Sequence, residues 1–138
     1  MIDRFVKAQE EVYFRALEEI KSGRKRTHWM WFIFPQIKGI GLSKTSIFYS
    51  IKDIGEANEY LNHPLLGQRL REICQVLLEL KTDNPSDVFG FTDAMKLCSS
   101  MTLFDEVEPD SVFDKVLIKF FVGERDEKTL KILAAQNI

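Results

Sequence analysis

The sequence of 138 residues has little of what defines several protein classes, with two cysteines, four prolines and seven glycines. Such low glycine and proline contents exclude a collagen-like or low-complexity chain, and two cysteines cannot form a disulfide scaffold. Cys74 and Cys98 have no cysteine or histidine close by in the sequence, which excludes a zinc ribbon and a CxxC redox pair. We therefore expect reduced, structural thiols.

Long apolar runs are also missing. No stretch approaches the ~20 apolar residues that cross a bilayer, and the charged N-terminal segment lacks the apolar part of a signal peptide. We therefore expect a cytoplasmic protein that does not bind membranes. Gly39 and Gly41 are not followed by a third glycine at position 44, so they do not form a dinucleotide-binding loop. The sequence predicts neither a metal site nor a cofactor.

Charge is unevenly distributed along the chain. The net charge is −2, yet residues 1–52 hold ten Lys and Arg against five Asp and Glu, whereas the remainder holds nine against sixteen. The N-terminal part is thus basic and the rest is acidic. An isoelectric point near 5.7 argues against a duplex-DNA binder, because the affinity of such proteins depends on neutralising many phosphates.

Helical periodicity dominates what the sequence does contain, and 45% hydrophobic residues suffice for one core. The first helix is predicted to run without interruption from Asp3 to Gly23, about five turns. N-caps of later helices are predicted at Ser43, Asp53, Thr92 and Asp126. The apolar segment 28–34 fits either a short buried helix or a strand. We expect a single all-α domain of about seven helices over residues 1–138.

Some polar side chains fall on helix faces that are otherwise apolar. On a helical wheel Gln9 lies within the apolar face of the first helix, and Arg69 lies among the apolar side chains of residues 64–80. An inward arginine keeps its charge, so it needs a carboxylate, a group of carbonyls or an anionic ligand. A structural salt bridge and a ligand contact are both open for Arg69.

A second group lies along one edge of the helix expected after Thr92. Asp93 and Lys96 are three residues apart, and Lys96 and Ser100 are four apart. The first spacing suits a surface ion pair and the second a Ser–Lys nucleophile pair. A solvated face with a capping aspartate is the favoured interpretation, because no oxyanion-binding group is identifiable nearby.

The third group is the basic and aromatic segment 24–34. Two Trp and two Phe within six residues predict mainly core packing, but Arg24, Lys25, Arg26 and His28 directly precede them. Cations beside flat rings also suit a base together with its phosphate. His28 is a candidate proton donor, and a hydrogen-bonded structural histidine is the competing interpretation.

Several long motifs closely resemble the bacterial DUF1810 family, a domain of unknown function. The motifs are residues 26–36 (RTHWMWFIFPQ), 63–67 (HPLLG) with 69–70, and 96–104, and residues near both ends also match. The resemblance covers almost the whole chain and implies a small all-α cytosolic protein without an established activity. Some members are labelled calpastatin, a disordered inhibitor that this globular composition contradicts. Cys98 departs from the basic or polar residue expected there.

The favoured functional hypothesis is a pocket between helices that binds a small anionic ligand, such as a nucleotide or a phosphorylated metabolite. Its predicted lining consists of Gln9, Tyr13, His28, Trp29, Trp31, Arg69, Lys96 and Ser100. Arg69 and Lys96 would supply charge, the tryptophans a stacking wall and His28 a proton; whether catalysis follows is open. The alternatives are a protein-interaction module using exposed Phe14 or the junction near Arg26, and single-stranded nucleic-acid binding through segment 24–34.

Overall fold

The computed structural model describes residues 2–137, and these residues are folded into helices around one core. The nine helices within this range are α1 (Asp3–Gln9), α2 (Tyr13–Lys21), α3 (Met30–Ile33), α4 (Lys44–Phe48), α5 (Ile54–Asn62), α6 (Leu66–Glu79), α7 (Pro85–Val107), α8 (Val112–Phe121) and α9 (Glu127–Gln136). The described residues contain no strand, only an isolated parallel bridge between Ile37 and Ile51. The all-α prediction is confirmed, with nine helices instead of about seven.

The uninterrupted first helix is a prediction that the structure corrects. α1 ends at Gln9 and α2 begins at Tyr13, with a turn between them. In this turn the Val12 amide donates to the Gln9 carbonyl, three residues back, instead of the carbonyl four residues back. The buried residues Phe5 and Gln9 of α1 and Tyr13, Ala16 and Ile20 of α2 follow one helical spacing, so the apolar periodicity continues through the break. The sequence pattern therefore contains no sign of it.

The apolar segment that fitted a helix or a strand contains the single turn of α3. Trp29, Met30 and Phe34 are fully buried, and Pro35 follows directly. The segment passes through the interior, which explains why its apolarity is continuous and shows no period.

Side-chain N-caps are confirmed where the signal is local. Each accepts from the amide three residues on: Ser43 from Ser46 at 3.1 Å, Asp53 from Glu56 at 2.9 Å and Asp126 from Thr129 at 3.1 Å. Thr92 differs, because it lies inside α7, which Asn84 caps. α7 is instead broken at Gly90, where φ is 76° and ψ is 167°. Only glycine adopts this conformation readily, so Gly90 divides α7 into two segments.

One cluster of buried hydrophobic side chains spans the chain from Phe5 to Leu133. α6 packs against α2, α5 and α8, while α7 packs against α5, α8 and α9. Next to this core the basic segment 24–28 runs alongside the break in α7, since the Lys25 amide donates to the Val88 carbonyl at 2.7 Å. The fold thus brings the basic part of the sequence against the kinked helix.

No helix in the part of the chain that the structure describes is long and apolar enough to cross a bilayer. No group of three or more His, Cys, Asp or Glu side chains in residues 2–137 is placed to hold a metal ion. Cys74 and Cys98 are free, and burial raises the pKa of the Cys98 thiol to about 11. A thiol with such a high pKa is a poor nucleophile at neutral pH.

Candidate functional site

A cleft of about 380 Å³ lies between the basic segment 24–28, α3 and the break in α7. Its charged and aromatic lining comprises Lys25, His28, Trp31, Phe89, Phe91, Asp93 and Lys96. Three of these residues, His28, Trp31 and Lys96, belong to the set predicted from the sequence. We call this cavity the basic cleft.

Two lysines in the basic cleft share one carboxylate. The Lys25 Nζ lies 2.8 Å from one oxygen of Asp93, and the Lys96 Nζ lies 3.3 Å from the other. The Lys25 side chain is only 8% exposed. Asp93 carries one negative charge against the two positive charges of Lys25 and Lys96, so it compensates only half of them. Burying an ammonium without a full counter-charge is costly. This wall of the cleft therefore has a positive charge available for an anion.

Each of the two ammonium groups also lies over an indole ring. The Lys25 Nζ is 5.1 Å from the centre of the Trp29 ring, and the Lys96 Nζ is 5.2 Å from that of Trp31. At these distances the negative faces of the rings attract the cations. Each lysine therefore contacts an indole ring as well as Asp93.

The basic segment is held in place by one buried carboxylate. Glu19 accepts hydrogen bonds from the Arg26 amide at 2.8 Å, the Thr27 amide at 3.0 Å, the Thr27 hydroxyl at 2.6 Å and the Trp29 indole at 2.9 Å. Burial alone would raise the pKa of Glu19, but these donors lower it to about 2. The carboxylate is therefore ionised at neutral pH and fixes the backbone that carries the cations.

The remaining predicted residues lie elsewhere, beginning with Gln9. This side chain is buried, and its Nε2 donates to the Phe32 carbonyl at 2.7 Å and to the Tyr60 hydroxyl at 3.0 Å. Its Oε1 accepts a longer bond of 3.4 Å from Arg69. The inward orientation predicted for Gln9 is correct, and its polar atoms bond to other parts of the chain.

Arg69 is half-buried beside Gln9 and lies over an aromatic ring. Its guanidinium is 4.8 Å from the centre of the Tyr13 ring, and no carboxylate among residues 2–137 forms an ion pair with it. The Tyr13 hydroxyl contacts the Arg69 carbonyl and donates to Glu72. Burial, followed by this bond to Glu72, raises the pKa of Tyr13 far above its ordinary value. Gln9, Tyr13 and Arg69 thus form a second cluster, outside the lining of the basic cleft.

Trp29 and Ser100 are both fully buried. Trp29 lies behind the wall of the basic cleft, so Trp31 is the indole that borders the cavity. Ser100 follows Lys96 by one helical turn, but within the described residues its hydroxyl has no hydrogen-bond partner. A Ser–Lys nucleophile pair requires a hydrogen bond between the two groups, and the geometry does not provide it.

The lining predicted from the sequence lacked Lys25, Phe89, Phe91 and Asp93, although Lys25 and Asp93 were each noted in one of the other polar groups. Lys25 stood in a run of three basic residues with nothing to separate it from its neighbours. The available signal was Gly90, a glycine placed between two phenylalanines in a helical region. Such a glycine indicates a close approach or an unusual backbone angle, and here it marks the edge of the cleft.

The fold and the basic cleft define a small all-α protein with a half-compensated cationic cavity. The sequence model of a family described as "Protein of unknown function (DUF1810)" matches residues 1–133, so the chain belongs to this family. Its structure is similar to the crystal structure of the conserved hypothetical protein Rv1873 from Mycobacterium tuberculosis, with 42% identity, a TM-score of 0.94 and 96% of each chain covered. No curated protein matches the chain. The family resemblance is confirmed, and it carries no assigned activity.

Proposed function

We propose that the basic cleft binds a small anionic ligand, with Lys25 and Lys96 as its charge partners. The supporting observation is that these two ammonium groups converge on a single carboxylate in the wall of the cavity. An entering phosphate or carboxylate would complete the neutralisation that Asp93 leaves unfinished. Charge-assisted hydrogen bonds of this kind are the stronger ones in proteins.

The size and the other walls of the cleft agree with this proposal. A volume of about 380 Å³ is in the range of pockets that hold one small molecule. His28 borders the same cavity and can donate a hydrogen bond, while Trp31 supplies an apolar wall. The proposal concerns binding, and no chemical step is assigned to it.

Gln9, Tyr13 and Arg69 are left out of the proposed site because they form the separate cluster described above. Arg69 lies against the Tyr13 ring and Gln9 instead of facing the two lysines. Their part in the protein is better explained as packing between α1, α2 and α6.

The experiment is calorimetric titration of the protein with inorganic phosphate and with glycerol 2-phosphate. We expect Lys96→Met to weaken phosphate binding roughly ten- to a hundredfold, since one charge-assisted bond is worth about 1.5–3 kcal/mol. Asp93→Asn should strengthen it, because the competing carboxylate charge is removed. Lys131→Met, a change at an exposed lysine of α9, is the matched control and should leave binding unaltered.

Opposite responses of the Lys96 and Asp93 variants are what distinguishes this site from general attraction to a basic surface. If phosphate fails to bind the wild type, or if Lys131→Met weakens binding as much as Lys96→Met does, the proposal is wrong. Thermal unfolding of each variant checks that the fold is retained, and a ligand that binds only the native state must also raise the melting temperature.

An interaction module built around Phe14 is a second candidate. Phe14 is 66% exposed, and its ring packs edge-on against Tyr13 at 5.4 Å and lies 5.9 Å from the Arg69 guanidinium. An exposed aromatic with a cation behind it is typical of contact residues at protein interfaces. Sedimentation of the wild type and of Phe14→Asp would test self-association. If the wild type had the mass of one chain at all concentrations, self-association through Phe14 would be excluded.

Single-stranded nucleic-acid binding through segment 24–34 has less support. Trp29 is buried, so Trp31 is the indole of this segment that borders the cleft. If such binding occurs, the affinity should fall steeply as salt rises, because phosphate contacts release counterions.

A further inference from the structure

Phe91 is the most unusual residue of the cleft wall. It is 75% exposed although it lines the cavity, and it directly follows the backbone break at Gly90. An exposed phenylalanine normally has no functional meaning when it stands alone on a surface. Phe91 differs because it lines a concave and charged cavity.

The other exposed phenylalanines of the described chain have ring partners, and this comparison isolates Phe91. Phe14 packs against Tyr13 at 5.4 Å, and Phe48, which is 59% exposed, packs against Tyr49 at 4.8 Å. No ring contact involves Phe91 within residues 2–137. The Phe91 ring is thus available to stack on a flat group of a ligand.

Phe91 is also close to the charged groups along the chain. It precedes Asp93 by two residues, so the two Cα atoms are at most about 7 Å apart. Asp93 in turn contacts both lysine ammonium groups. Because Phe91 and both lysines line the same cleft, a ligand that places its anionic group on the lysines can extend towards Phe91. Trp31 is less suited to this part, because the Lys96 ammonium already lies over its ring.

We infer that the ligand of the basic cleft is an aryl or heteroaryl phosphate, whose phosphate contacts Lys25 and Lys96 and whose flat ring stacks on Phe91. This inference rests on the anion-binding function proposed above and narrows its ligand class. Stacking of a flat ring on an aromatic side chain strengthens binding by about tenfold. A phosphate without a ring would gain the charge contacts alone.

The test compares phenyl phosphate with glycerol 2-phosphate and inorganic phosphate by calorimetric titration. We expect the wild type to bind phenyl phosphate about tenfold more tightly than glycerol 2-phosphate. Phe91→Leu, which keeps an apolar side chain but removes the ring, should abolish this preference and leave the affinity for inorganic phosphate unchanged. Phe14→Leu is the matched control at an exposed phenylalanine outside the cleft, and it should retain the preference.

The possible outcomes distinguish the stacking inference from the proposal that the basic cleft binds an anion. If inorganic phosphate binds but phenyl phosphate has no advantage, the ring inference is wrong and the anion site stands. A preference that survives Phe91→Leu also overturns the role of Phe91. If none of the three compounds binds, both ideas fail. Because Phe91 is exposed, its replacement should not disturb folding, which thermal unfolding will verify.

Discussion

At the residue scale, Glu19 and Ser100 show how differently two buried polar side chains can be accommodated. Glu19 is surrounded by four donors from residues 26–29. The Ser100 hydroxyl has no partner in the described part of the chain. A buried polar group stabilises the native state only when its bonds to water are replaced. The two residues should therefore respond in opposite ways to the loss of their polar groups.

We expect Glu19→Gln to lower the free energy of unfolding at pH 7 by about 2–3 kcal/mol, because a buried carboxylate makes stronger hydrogen bonds than an amide. The folded pKa of Glu19 is about 2, below the ordinary value of 4.5. Its contribution is therefore complete above pH 4.5 and is lost as the pH falls towards 2. Denaturant unfolding at several pH values should show the wild type and the variant converging in acid.

Glu18→Gln is the control for this experiment. Glu18 is the neighbouring residue, its side chain is 76% exposed, and its contact with Lys21 is 3.9 Å long. Exposed pairs of this kind contribute little, so we expect a change below about 0.5 kcal/mol. A pH dependence equal in Glu18→Gln and Glu19→Gln would contradict the role of the buried carboxylate.

Ser99 and Ser100 provide a second, internally matched prediction. The Ser99 hydroxyl contacts the Asp126 carboxylate at 3.1 Å and the Met95 carbonyl at 3.2 Å. We expect Ser99→Ala to cost about 1 kcal/mol of unfolding free energy and Ser100→Ala to cost nothing or to stabilise slightly. Denaturant midpoints measure both, and a larger loss at Ser100 would mean that its hydroxyl has a partner.

Helical wheels could predict the orientation of single side chains but not their partners. Gln9 faces inward as expected, because one helix and its apolar face determine that direction. The groups that it bonds, on Phe32 and Tyr60, are 23 and 51 residues away in sequence. Such pairings depend on how helices pack together, and a single sequence does not encode them in any local pattern.

At the element scale, signals within one turn predicted most helix starts but not the break between α1 and α2. Ser43, Asp53 and Asp126 cap their helices because the donor is three residues away in each case. The turn between α1 and α2 was not predicted, because the apolar spacing of the two helices continues across it. The sequence predicts a short helical turn that ends at Phe89 and Gly90, and the break at Gly90 agrees with this, although Thr92 is not the N-cap of the helix.

Gly90→Ala tests whether the α7 break shapes the basic cleft. Apart from its two chain neighbours and the nearby backbone of its own helix, no atom among residues 2–137 lies within 4 Å of an added Cβ, so the cost comes from the backbone angles. We expect a loss of about 1–3 kcal/mol in unfolding free energy, together with weaker phosphate binding. Gly123→Ala, at φ 79° and with equal space, should cost about 1 kcal/mol and leave binding unchanged. If both variants weakened phosphate binding equally, the break at Gly90 would have no specific part in shaping the basic cleft.

At the scale of the whole molecule, the buried hydrophobic cluster of the described residues joins helices from both ends of the chain. Phe5 near the start and Leu133 near the end belong to it. The all-α class was predictable, because helical periodicity recurs over most of the length. The location of the site was not, since the cleft is formed by segment 24–31 and by α7 from the acidic part of the sequence. Only the folded chain brings these charges together.

One core predicts one unfolding event for the chain, which tests the expectation of a single domain over residues 1–138. The transitions followed by far-UV and near-UV circular dichroism should coincide in denaturant. Far-UV signals report helices and near-UV signals report the packing of aromatic rings. Two separated transitions would mean that part of the helical structure is stable without the common core.

Because the two tryptophans lie in different environments, their fluorescence can report separately on unfolding and on ligand binding. Trp29 is sealed in the core beside Glu19, so its fluorescence reports global unfolding and is shielded from solutes. Trp31 borders the basic cleft beneath the Lys96 ammonium, and its emission is therefore open to quenching by whatever enters. Selective quenching with iodide or acrylamide can thus locate an unknown ligand in this cleft before its chemistry is known.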